Sequence, residues 1–143
     1  MKRSIIGTLT LGLLWLGFST SSALAQSGVD LIVNPAVPVT SLDKNALKDV
    51  LLGKTTYWDG GQAVTILLLT DKTDKALEEI TGMPASQFKT HWQRLTFSGR
   101  GKQPKEVDTP EKLVAAVAEG KGTVALVPSG TELKGVKKLD IKP

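Results

Sequence analysis

Apolar residues recur along this chain in two rhythms. Three short runs are almost continuous: Val29 to Val33 (V-D-L-I-V), Ala63 to Leu69 (A-V-T-I-L-L-L) and Thr123 to Val127 (T-V-A-L-V). Each has strand length and is bounded by turn residues, the pattern of a strand buried on both faces. Asn34-Pro35 and Pro38 end the first run in a turn. Between the runs, apolar residues repeat with helical spacing. Leu42, Ala46, Leu47, Val50 and Leu51 share one face and predict a helix over about Leu42–Leu52. Thr40 or Ser41 can cap its start, and Gly53 can take the left-handed position after its end. Asp71 to Thr81 reads as a second helix, capped by Thr70 or Asp71 and stopped by Gly82. Pro84 fits the start of a third, about Ala85 to Phe97, in which Phe88, Trp92 and Leu95 form one face. Thr109-Pro110 opens a fourth, which runs to Ala118 and stops at Gly120 or Gly122. Arg100 to Val107 reads as a polar loop, and Val136 to Ile141 as a short final strand. Strands separated by helices predict the α/β class, a mixed, mostly parallel sheet flanked by helices.

The N-terminus departs from this pattern. Lys2 and Arg3 precede the apolar run Ile5 to Phe18, and Ala23-Leu24-Ala25 supplies small residues two apart. These are the three parts of a secretory signal peptide. The run is shorter than the ~20 residues a spanning helix needs. The expectation is a signal peptide over 1–25 and a single domain over 26–143, periplasmic or secreted after cleavage near Ala25. A domain of that length can bury one core. The chain has no Cys, so disulfides and thiolate metal sites are excluded. The formal net charge of +4 owes half to Lys2 and Arg3. No basic stripe with interleaved aromatics exists, so nucleic acid is not an expected partner. The locally basic stretch Arg94 to Lys105 reads as a solvated loop, with an anion or membrane-surface contact as the other reading.

The segment Ser41 to Trp58 has the order S-L-x-x-x-x-L-x-x-V-x-L-G-K, then Trp58 and Asp59. It resembles the "L-x-x-I-(F/Y)-L-G-K-x-x-x-W" segment of the phosphate-binding proteins of ABC transporters. Val-Thr-Ile-Leu-Leu-Leu-Thr-Asp-Lys-Thr-Asp (64–74) resembles the place where that family has "R-S-D-G-S-G-T". Gly122 to Pro128 resembles its closing "G-A-I-G-Y-V" strand. Trp92, Arg94, Phe97, Gly99 and Gly101 are similar to the "W-x-R-x-x-F-x-G-x-G" of short, one-lobe members. The resemblance covers roughly Val29 to Pro128. It implies a single lobe of a type-II periplasmic-binding-protein-like fold, a non-catalytic solute-binding role and no cofactor. Phosphate or another small oxyanion is the implied ligand, and a membrane transporter or envelope protein the implied partner.

Thr70, Asp71 and Thr73 match the family's Ser, Asp and Ser positions and are the expected ligand-binding residues. A helix start there offers free backbone N–H groups and positive dipole character to an anion. Leu69 stands where the family has its phosphate-clamping Arg, and Lys72 and Asp74 replace two glycines. A Leu69→Arg change is therefore expected to strengthen phosphate binding if the site is only weakened. These departures open a second reading, an envelope interaction module built on a binding lobe that has lost its ligand. His91, the sole histidine, has no second His, Cys or catalytic partner in pattern and reads as a surface residue. Trp58 and Trp92 read as core-edge aromatics. No residues form a catalytic or metal-binding constellation in the sequence.

Overall fold

A computed structural model describes residues 28–143. The expected signal peptide, including the Ala25 boundary, lies outside the described residues. The elements run in the order β1 (Val29–Val33), β2 (Ser41–Asp43), α1 (Lys44–Leu51), β3 (Thr65–Leu69), α2 (Asp74–Thr81), α3 (Ala85–Phe97), β4 (Lys105–Val107), α4 (Pro110–Glu119), β5 (Thr123–Pro128) and β6 (Lys137–Lys142). The strands form one sheet in the order β2-β6-β1-β5-β3-β4. β3 pairs in parallel with β4 and β5, and β2 with β6, whereas β1 is antiparallel to both its neighbours. Five strands therefore point one way and β1 alone opposes them.

The strand pleat sends alternate residues to two cores. Leu31, Val33, Ile66, Val124 and Leu126 face the layer of α1, α2 and α3, with Leu47, Leu51, Leu77, Phe88 and Trp92. Ile32, Leu67, Leu69, Ala125 and Val127 face α4, with Leu113, Val114 and Val117. The first and third runs are thus buried on both faces, as is the second from Ile66 on; Ala63 and Val64 precede β3, and Ala63 and Thr65 are exposed. Buried Asn34 ties the end of β1 to the other layer. Its Nδ2 donates to the carbonyls of Val117 and Ala118, each at 2.9 Å, and its Oδ1 accepts from Ala36 N–H.

Four local expectations are corrected. The first helix starts at Lys44, because Ser41–Asp43 is drawn out as an edge strand on β6. Its cap is consequently Asp43, whose Oδ1 accepts from Ala46 N–H at 2.7 Å, and neither Thr40 nor Ser41. The second helix starts at Asp74 and its N-cap is Thr73, so Thr70 and Asp71 are turn residues. Lys105–Val107, inside the expected polar loop, is a strand through its pairing with β3. A strand of three residues leaves too little periodicity to read.

The helix ends follow their sequence signals. Gly53 has φ 73°, and after α1 the Gly53 and Lys54 N–H groups donate to the carbonyls of Val50 and Asp49. After α3, the Gly99 and Arg100 N–H groups donate to Thr96 and Leu95. Both pairs form the Schellman arrangement. Thr109 caps α4 through Lys112 N–H, with Pro110 in the first turn.

Candidate functional site

The parallel β3 and β4 deliver their C-terminal ends to the start of α2. There a cleft of about 310 Å³ opens, lined by Thr70, Asp71, Asp74, Lys89, Glu106 and the buried edges of Phe88 and Trp92. Thr70 is exposed; its backbone N–H and its hydroxyl both donate to the Val107 carbonyl, at 3.0 and 3.3 Å. Asp71 is exposed with φ 63°, the left-handed conformation that Asp tolerates better than most residues. Thr73 is 3% exposed, and its hydroxyl donates to the Leu69 carbonyl at 3.3 Å. Two of the three expected ligand residues therefore border the cleft. The hydroxyl of the third is used inside the turn.

The cleft's chemistry differs from that of an oxyanion clamp. Leu69 is 1% exposed and belongs to the core beneath α4. Leu69 also contributes to the lining of the cleft, so an arginine there would set the cost of a charge at a core position against the gain of an anion contact. Asp71, Asp74 and Glu106 line the cleft and Lys89 is the cation among its lining residues. Asp74 also occupies the first turn of α2, where it complements the dipole an anion would use.

A second cleft, of about 440 Å³, lies on the other side of Trp92 and Gln103. One wall is the small hairpin around Tyr57 and Ala63, which form an isolated antiparallel bridge. The other is the loop Gly99–Gln103. Arg100, Lys102 and Lys105 are among its lining residues, and no Asp or Glu is. The signal for this face was the acid-free run Arg94 to Lys105. The opposite wall was illegible, since Tyr57 and Ala63 reach the cleft only through the fold.

Trp92 lines both clefts and is 4% exposed. Its indole N–H donates to the Leu51 carbonyl at 3.1 Å. A Cβ on Gly53 would stand 2.7 Å from its Cη2, and one on Gly101 3.0 Å from its Cζ3. Both glycines let backbone lie against the ring. His91 corrects the surface expectation. It is half-buried, with Nε2 2.8 Å from the Leu52 carbonyl and its ring edge-on to Trp92. Facing a carbonyl, that nitrogen acts as the donor. Trp58 is buried as expected, its indole N–H on the Gly122 carbonyl at 2.9 Å. Among the described residues, no group of His, Asp and Glu is arranged to hold a metal ion.

No protein-family model matches the chain, and no curated protein matches it. Solved structures do. An ABC-type phosphate transport receptor from Vibrio cholerae superimposes with a TM-score of 0.60 at 18% identity, over 80% of this chain and 46% of that one. A putative phosphate ABC transporter substrate-binding protein with bound phosphate from Clostridium perfringens gives 0.62 at 18%, over 80% and 44%. PstS from Borrelia burgdorferi gives 0.61 at 10%, over 80% and 47%. The chain thus spans less than half the length of the proteins it matches. At these identities the likeness establishes architecture. The chain has the α/β fold of a single lobe of the phosphate-transport substrate-binding proteins.

Proposed function

We propose that this chain is an exported, non-catalytic binding domain that uses the solute-binding lobe as an interaction module, without effective oxyanion capture at the β3–α2 corner. The burial of Leu69 carries this reading. Where the resemblance places a clamping Arg, the side chain is part of the core. An anion entering the cleft would meet three carboxylates and one ammonium, and like charge in a partly desolvated site opposes binding. Export rests on Lys2-Arg3, the short apolar run and Ala23-Leu24-Ala25. Among the described residues no helix is long and apolar enough to cross a membrane. A membrane transporter or envelope protein is the proposed partner.

Isothermal titration calorimetry of the purified protein with phosphate and with sulfate tests this. No saturable heat is expected from either. The second reading is weak oxyanion binding by Thr70, Asp71 and Thr73. It is favoured by the fold of the phosphate-bound structure and by the access of Thr70 and Asp71 to the cleft. Saturable phosphate heat that disappears in Thr70→Val would establish it and overturn the first.

A further inference from the structure

We propose that the C-terminal end of α3 and the loop after it form a docking surface for an anionic lipid bilayer. Phe97 is 92% exposed. Helix geometry forces this. Phe97 is nine residues beyond buried Phe88, which places it on the opposite side of α3 from the core. Arg94 is three residues before Phe97 and shares its solvent face. A single exposed phenylalanine needs no explanation by itself. Its surroundings are what distinguish this one.

From Arg94 to Lys105 the chain carries four cations and no acid. None of the ion pairs among the described residues uses Arg94, Arg100, Lys102 or Lys105. Lys54, Lys112, Lys134 and Lys138 pair with Asp49, Asp108, Glu132 and Asp30; what sets the Arg94–Lys105 run apart is that no acid lies within it. The cations of this run are left for an external anion. Arg100 and Lys102 also line the acid-free cleft, whose far wall presents Tyr57, 65% exposed. Tyr57 and Phe97 are the exposed large hydrophobics among the described residues.

The platform is built and held in place. The Schellman bonds from Gly99 and Arg100 fix the chain as it leaves α3, and Gly101 packs on Trp92. The loop therefore loses little freedom on contact. An aromatic side chain flanked by unpaired guanidinium and ammonium groups matches a bilayer interface. The ring enters the headgroup–acyl boundary and the cations meet lipid phosphates.

Co-sedimentation with vesicles tests the proposal, comparing phosphatidylcholine mixed with phosphatidylglycerol against phosphatidylcholine alone. Binding is expected to the mixed vesicles only. Arg100→Gln and Lys102→Gln should each weaken it by about fivefold, and Phe97→Ser by about tenfold. These positions are exposed, so the fold is retained. Lys138→Gln, on the distant strand β6, removes the same charge and should change nothing. The proposal is overturned if the parent ignores anionic vesicles, or if Phe97→Ser binds as the parent does. Equal losses in Lys138→Gln and Arg100→Gln would also overturn it, since net charge alone would then be responsible. Displacement by inorganic phosphate, beyond that by chloride at equal ionic strength, would instead identify a free-anion site. None of these residues lines the β3–α2 cleft, so this result and the calorimetry with phosphate stand or fall separately.

Discussion

The two clefts beside Trp92 share a wall and carry opposite charge. The one at the ends of β3 and β4 gathers Asp71, Asp74 and Glu106 around Lys89. The one between the Tyr57 hairpin and the loop after α3 gathers Arg100, Lys102 and Lys105 with no acid. The first is where the resemblance places an oxyanion, and it is the less suited to one. Backbone topology fixes where clefts open: at strand ends, and between a hairpin and a loop. Which ions they admit depends on a few exposed side chains that the fold does not constrain. The fold shared with phosphate-binding structures therefore assigns no occupant to either cleft.

The largest effect that can test this contrast is at Leu69. If its side chain belongs to the core, Leu69→Arg should destabilise by roughly 3–5 kcal/mol, because it buries an unpaired charge. Leu69→Met, of similar volume, should cost less than about 1.5 kcal/mol. Urea unfolding measures both. A Leu69→Arg protein with the parent's midpoint and a new phosphate heat would restore the acidic cleft as an oxyanion site.

A smaller effect is expected at the shared wall. Gly53→Ala forces a side chain into the left-handed region and against Trp92, and should cost about 1–3 kcal/mol. Gly101→Ala meets the same ring at 3.0 Å from a residue without positive φ, and should cost less. Thermal melts with near-ultraviolet circular dichroism would rank them. If both were neutral, Trp92 would be mobile and the two clefts would merge.

The smallest effect concerns Asp71. Its φ of 63° suits Asn and disfavours Ala. Asp71→Ala should cost about 1 kcal/mol, whereas Asp71→Asn should be nearly neutral. Asp71→Asn also removes one carboxylate from the first cleft. Phosphate heat is still not expected, since Asp74 and Glu106 remain. Heat appearing in this variant alone would make Asp71 the group that excludes anions.

The chain by itself determined its interior strands and most of its helix ends. Val29–Val33 matches β1 residue for residue, and Ala85–Phe97 matches α3. Continuous apolar runs, one-faced periodicity and Gly or Pro at termini are local signals, so they are legible without a fold. They also put Trp92 on the core face of its helix. Only the tertiary structure decided the rest. The edge strands β2 and β4 exist through pairing with β6 and β3, far away in sequence. That pairing moved the first cap to Asp43 and put a strand in a polar loop. The direction of Leu69 into the α4 core follows from the phase of the β3 pleat, which motif matching does not see. The cleft charges depend on residues brought together from α2, α3, β4 and two loops. A charge acts through space rather than along the chain, so no window of sequence contains that sum.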